Sequence, residues 1–128
     1  MTRGPLPKKA IDEALPVAEA RGMIIFCQPG TGSVCDFVIA GAPFTAMVRV
    51  KRSRRLHCPL PEIESQFAEP LARLRLVPSL SHRCRELWVC GQYGTLRFFC
   101  VSDAGFTEID RDGKPLDSTG GEMSSVGR

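Results

Sequence analysis

Asp36 and the run Arg49-Val50-Lys51-Arg52-Ser53-Arg54-Arg55 concentrate the chemistry of this chain. Four of the five residues from Lys51 to Arg55 are cations. A guanidinium offers a planar fork of donors and an ammonium a compact point charge, and both are suited to phosphate oxygens. Asp36, fifteen residues before Lys51, adds a hard oxygen donor of the kind that Mg²⁺ takes. A carboxylate, a lysine and a cationic strand end could hold a phosphodiester and, around a metal ion, activate water against it. Arg49 complicates that chemistry. It stays cationic at any practical pH and cannot ligate a cation. Its charge opposes a neighbouring metal ion by a few kcal/mol at an effective dielectric of about 20. Asp36 therefore has two roles open to it: metal ligand, or ion-pair partner of Arg49.

The elements that must position these groups follow from periodicity. From Phe44 to Lys51 the alternation places Phe44, Ala46, Val48 and Val50 on one face of a strand. Thr45, Met47, Arg49 and Lys51 fall on the other, so Arg49 and Lys51 point the same way. Upstream, Met23–Cys27 is a short apolar run that reads as a central strand, and Val34–Ala40 reads as a second strand. The loop 28–33 between them contains two glycines but no phosphate-loop pattern. Before these strands, Ile11, Ala14, Leu15 and Ala18 recur at helical spacing and Gly22 supplies a stop. Pro16 implies either a kink in that helix or a start near Leu15. After the basic run, Pro59 and Pro61 lead into a helix with Ile63, Phe67, Leu71 and Leu74 as its buried stripe, bent at Pro70. Glu86–Cys90 and Thr95–Val101 form a hairpin about Gly91-Gln92-Tyr93-Gly94, and Phe106–Ile109 adds a short edge strand. Phe98 and Phe99 face opposite sides of the sheet. The expected fold is an α/β sandwich with a central mixed sheet.

The chain has 128 residues, 43% of them apolar, which suits one domain over 8–110. Residues 1–7 read as a flexible, unstructured start, and 111–128, rich in Gly, Ser and Asp, as a disordered tail. No apolar run is long enough to span a bilayer and no signal-peptide pattern opens the chain, so a cytoplasmic protein without membrane partners is expected. The net charge of +3 says less than the local density of cations. Six cysteines, at 27, 35, 58, 84, 90 and 100, include no C-x-x-C pair and read as buried thiols. A zinc site from His57, Cys58, His82 and Cys84 is the weaker alternative.

With these elements in order, the chain resembles the PD-(D/E)XK nuclease superfamily, whose restriction-endonuclease-like fold has an α-β-β-β-α-β core. Cys35-Asp36 resembles the Pro-Asp element of the second strand, and Arg49-Val50-Lys51 occupies the carboxylate-x-Lys triplet of the third. Leu87-Trp88-Val89 and Leu96–Val101 resemble the closing hairpin of small archaeal proteins related to Holliday junction resolvases. The resemblance covers residues 8–110 and implies an α-β-β-β-α-β-β sandwich acting on DNA. It implies Asp36 as a Mg²⁺ ligand, Lys51 as the group that orients water, and a carbonyl oxygen from Val50. Arg49 stands where the family has a carboxylate, so the second one must come from elsewhere. Some members supply it from the following helix, which points to Glu64, thirteen residues after Lys51, with Glu62 beside it. Others draw on the first helix, where Glu13 and Glu19 are available. Glu64 is also placed to be an ordinary solvated residue near a helix N-terminus.

Three functions compete on these residues. One is a Mg²⁺-dependent endodeoxyribonuclease using Asp36, Lys51 and Glu64. The second is a protein of the same fold that binds DNA through Lys51, Arg52, Arg54 and Arg55 without cleaving it. The third is an interaction module that forms a homodimer through a sheet edge or exposed aromatics. His57 reads as a surface histidine, Trp88 as core, and Tyr93 as the better candidate for stacking on a base.

Overall fold

The computed structural model describes residues 8–27, 34–41, 44–78, 80 and 82–116. The expected flexible start at 1–7, the loop 28–33 and residues 117–128 of the expected tail lie outside the described residues.

A helix, α1 (Lys8–Glu19), precedes a three-stranded meander, β1 (Met23–Phe26), β2 (Phe37–Ala40) and β3 (Thr45–Arg52). Two short helices, α2 (Leu60–Gln66) and α3 (Ala68–Leu74), then carry the chain to β4 (Arg83–Cys90), β5 (Leu96–Val101) and β6 (Phe106–Ile109). The six strands form one open sheet in sequence order. β3 and β4 are parallel, in register from Thr45 opposite Arg83 to Arg52 opposite Cys90. All other neighbours are antiparallel. A parallel pair needs a long crossover, and α2 and α3 supply it.

The alternation along β3 holds: Ala46, Val48 and Val50 are buried on the α1 face, and Arg49 and Lys51 project from the other. α1 lies against the first face through Ala10, Ala14 and Ala18, each fully buried. Small side chains at this spacing let the helix backbone approach the strands closely. Rings from four strands link across the same face. Phe26, Phe37, Trp88 and Phe98 meet edge-to-face, with successive centroids 6.3, 5.8 and 4.9 Å apart. Phe99 lies on the opposite face, stacked on Phe106 at 4.8 Å, beneath Ile63, Phe67, Leu71 and Leu74 of α2 and α3. Both adjacent phenylalanines are thus core residues, one in each layer.

Several expectations need correction. β1 is an edge strand and not a central one, with Met23, Ile25 and Phe26 exposed. A continuous apolar run does not report how many neighbours a strand has. The second helix is two helices divided at Phe67 (φ −116°, ψ 36°). A proline ring clashes with the carbonyl four residues back, so the break falls just before Pro70, which then occupies the first turn of α3. Pro16, in contrast, lies within α1 on its solvent side. Residues 111–116 are not a loose tail. Leu116 N–H donates to Glu108 O (3.0 Å), and a turn through Gly113 (φ 92°) returns the chain to β6.

One buried carboxylate joins the ends of the fold. Glu86 is 2% exposed and takes both Arg21 nitrogens at 2.9 Å and Trp88 Nε1 at 2.8 Å. Arg21 follows α1, and its guanidinium lies against Gly113, where an added Cβ would stand 2.9 Å from Nη2. The first helix, the central strand and the turn after β6 therefore share one ion pair. Removing one partner of a buried pair leaves an uncompensated charge, so Glu86→Ala is expected to lose about 3–5 kcal/mol in urea unfolding. Glu19→Ala, on the exposed side of α1, should stay within about 0.5 kcal/mol of wild type.

Candidate nucleic-acid interface

Asp36 sits at the point where β2 departs from its ladder with β3. Its own N–H donates to Val48 O (2.8 Å), and one carboxylate oxygen accepts the N–H of Val50 (2.7 Å). The side chain thus replaces the backbone carbonyl that the departing strand no longer offers, and a buried amide is satisfied. The other oxygen accepts from Arg49 Nη1 at 3.2 Å, with both side chains largely buried. Of the two roles open to Asp36, the ion pair with Arg49 is formed in this structure.

Lys51 lies on the same face. Burial and the Arg49 charge hold its ammonium below the usual lysine range, and Asp36 and Glu69 partly oppose that shift. Glu69, on α3, is thus the helix carboxylate whose charge reaches Lys51. The resemblance pointed instead to Glu64, on α2, as the carboxylate from the following helix.

The structure does not bring Glu64 to Asp36. Glu64 lies 3.8 Å from Arg75, which donates to Ser102 O and Gly105 O in the turn between β5 and β6. That turn is at the N-terminal end of the β3–β4 pair, and Asp36 binds Val50 near the C-terminal end of β3. Glu13 accepts from Cys90 Sγ (2.6 Å), on the α1 side of the sheet. Glu62 pairs with Arg55. His57 and Cys58 follow β3 at one end of the sheet, and His82 and Cys84 lie at the other, where β4 begins. Among the described residues no group of three or more His, Cys, Asp and Glu is placed to hold a metal ion.

The basic run is dispersed by the fold, and its downstream half is tightly held. Lys51 stays beside Arg49 on the face of α2 and α3, and Arg52 emerges on the α1 face. Ser53 N–H donates to Cys90 O (3.0 Å), continuing the parallel ladder beyond β3. Ser53 Oγ donates to Gln66 Oε1 (2.7 Å) and accepts from the Arg55 amide (2.9 Å). Arg97 Nη1 donates to the carbonyls of Leu56 and Cys58 at 2.6 and 2.8 Å, while its other nitrogens hold the Glu108 carboxylate. Leu56 is buried against Gly91, where a Cβ would come within 2.7 Å of Leu56 Cδ2. The loop after β3 is therefore locked to the base of the β4–β5 hairpin.

Two clefts flank the tip of that hairpin. One, of about 480 Å³, is lined by Lys9, Glu13, Arg52 and Gln92 together with Tyr93 and Gly94. The other, of about 250 Å³, includes Ser53, Arg54, His57 and Thr95, again with Tyr93. Among the described residues neither Arg52 nor Arg54 forms an ion pair with a carboxylate, unlike Arg55. Both are exposed. Lys9 and Gln92 were not anticipated from the sequence. Lys9 reaches the site only because α1 crosses the sheet towards the end of β4.

No protein-family model matches the chain, and no curated protein matches it. No described helix is long and apolar enough to cross a membrane.

Two outcomes test this geometry. Asp36→Ala strips a buried amide and Arg49 of their acceptor and should cost about 2–4 kcal/mol of unfolding free energy; Asp36→Asn, which keeps an oxygen for Val50, should cost clearly less. The thiols give a pH signature. Burial, first of all, pushes Cys35 and Cys84 up to about 12 and Cys90 to about 11 from an ordinary value of 9.0. Their contribution is fully present below pH 9 and is lost as pH rises towards 11–12, because the unfolded chain releases these protons first. Under reducing conditions, stability should fall by roughly 1 kcal/mol per shifted thiol between pH 8 and 10. Cys84→Ala should flatten that slope in urea titrations at the two pH values.

Proposed function

We propose that this chain is a nucleic-acid-binding protein of restriction-endonuclease-like architecture that grips the phosphate backbone through Arg52 and Arg54. Lys51 adds positive potential behind them, and Arg55 is engaged by Glu62. Three features support the architecture: the α-β-β-β-α-β element order, the parallel β3–β4 pair, and helices on both faces of a mixed sheet. The observation that carries the binding reading is the pre-ordered basic loop. Arg97, Ser53 and Leu56 hold it in place, and its two exposed guanidiniums open onto clefts on either side of one hairpin tip. A loop held in advance loses little conformational entropy on binding, so more of the phosphate contact energy appears as affinity.

Asp36 serves in this reading as the anchor of the strand end and not as a metal ligand. Arg49 and the Val50 amide engage its two oxygens, and Glu64 stands at the far end of the sheet. A Mg²⁺ ion would have to displace a buried ion pair to bind there, and it would meet the Arg49 charge. The basic loop needs no metal to hold a phosphate.

Binding should fall steeply with salt, since each neutralised phosphate releases counterions. Replacing both Arg52 and Arg54 by alanine should reduce the slope of log K against log salt by about 1.4–1.8, measured by fluorescence anisotropy with labelled DNA. No detectable binding by the wild type at low salt would remove this reading. Cleavage of linear or branched DNA in Mg²⁺ or Mn²⁺, abolished by Asp36→Asn, would replace it with an endonuclease.

A further inference from the structure

Tyr93 is the only tyrosine in the chain and is 98% exposed. It contributes nothing to either apolar layer. Its backbone is left-handed (φ 62°, ψ 30°), and Gly94 after it is left-handed too (φ 75°). Thr95 N–H donates to Gln92 O (3.3 Å), closing a turn of the type I′ pattern over these two residues. Such a turn favours Asn, Asp or Gly at its first central position, because a Cβ is crowded there. Of the described residues other than glycine, Tyr93 is the one in this region of backbone space. A bulky aromatic thus occupies a position that disfavours it and gains no burial in return. Conflicts of this kind between local preference and residue choice cluster at functional sites.

Its surroundings name the ligand. Tyr93 lines both clefts, with Lys9, Arg52 and the Glu13 carboxylate in one and Arg54 and the His57 imidazole in the other. A phosphodiester chain crossing the tip would meet cations before and after the ring, at the point where a base would lie on its face. Bases inside a duplex are already stacked on their neighbours, so a ring on a hairpin tip finds an open base face most readily on an unpaired strand. Gln92 and Thr95 flank the ring with an amide and a hydroxyl.

We propose that Tyr93 is a stacking platform for an unpaired nucleobase and that this site takes single-stranded nucleic acid in preference to duplex. The inference rests on the backbone-binding reading of the basic loop and names the substrate class of that same site. The chemistry it requires, a base on a phosphodiester backbone, is common to DNA and RNA.

The test measures anisotropy with labelled oligodeoxythymidine, oligouridine and a blunt-ended duplex at low salt, for wild type, Tyr93→Ala, Tyr93→Asn and Tyr93→Trp. Wild type should bind at least one single strand about tenfold more tightly than the duplex, and the strand that shows this identifies DNA or RNA. Tyr93→Ala and Tyr93→Asn should each lose about tenfold on that strand and leave duplex binding unchanged. Tyr93→Trp should retain the affinity, and its added emission should be quenched by the strand, whereas the Trp88 background, fully buried, stays constant. Asparagine suits the left-handed turn, so Tyr93→Asn should melt no lower than wild type, which separates lost stacking from lost folding. Single-strand affinity unchanged in both Tyr93→Ala and Tyr93→Asn would overturn the inference, as would a wild-type preference for duplex. If salt-sensitive binding persists and still responds to Arg52 and Arg54, only the stacking role of Tyr93 has failed. If no probe binds the wild type, the backbone-binding reading fails with it.

Discussion

The parallel pairing of β3 with β4 governs the arrangement of this molecule. Eight residues of each strand run side by side, so both strands end together, at Arg52 and Cys90. The segments that leave the two strands must then emerge at the same end of the sheet. The basic loop leaves β3 there and the hairpin tip leaves β4 there. The bond from Ser53 N–H to Cys90 O carries the pairing one step beyond the strands. The crossover that a parallel pair demands also sets α2 and α3 on the face opposite α1, where Arg97 and Gln66 can reach back and hold the loop. A purely antiparallel sheet would have sent the cations and the aromatic tip to opposite ends.

Among the described residues the three buried charged side chains, Asp36, Arg85 and Glu86, are each paired and hydrogen-bonded. Glu86 has Arg21 and the Trp88 indole. Arg85, almost wholly buried, donates to the carbonyls of Val77 and Val101 and pairs with Asp103. Asp36 has Arg49 and a backbone amide. Isolated charges in such places would cost several kcal/mol each, so their partners are part of the fold. Arg52 and Arg54, exposed and without a carboxylate partner among the described residues, stand outside this pattern.

Local chemistry made much of this readable in advance. The period-2 pattern of Phe44–Lys51 announced a strand with Arg49 and Lys51 on one face, and Trp88 inside an apolar run announced a core residue. The hairpin was marked by Gly91 and Gly94 at its turn. Misreadings arose where an outcome depends on neighbours. Met23–Phe26 looks the same whether it is central or peripheral, because an apolar run records a preference for burial and not the number of adjacent strands. The helix break before Pro70 depends on where an unpaired carbonyl can be tolerated. The tail over 111–116 looked too polar to fold, yet backbone hydrogen bonds to β6, which composition does not encode, return it to the sheet.

By itself the sequence determined which residues could act: one carboxylate on the second strand, a dense run of cations at the end of the third, and a tyrosine in a turn. These are properties of residue type and spacing along a chain, and short-range sterics and periodicity suffice to read them. Only the tertiary structure decided which of them meet. It paired Asp36 with Arg49, sent Glu64 to the far end of the sheet, split the basic run across two faces, and set Lys9 of the first helix beside Arg52. The reason is geometric. Alternation assigns a face to each side chain, but the direction of β4 relative to β3 and the crossover between them decide which ends of the sheet coincide. Those choices come from burying two apolar layers at once, over contacts between residues far apart in the chain.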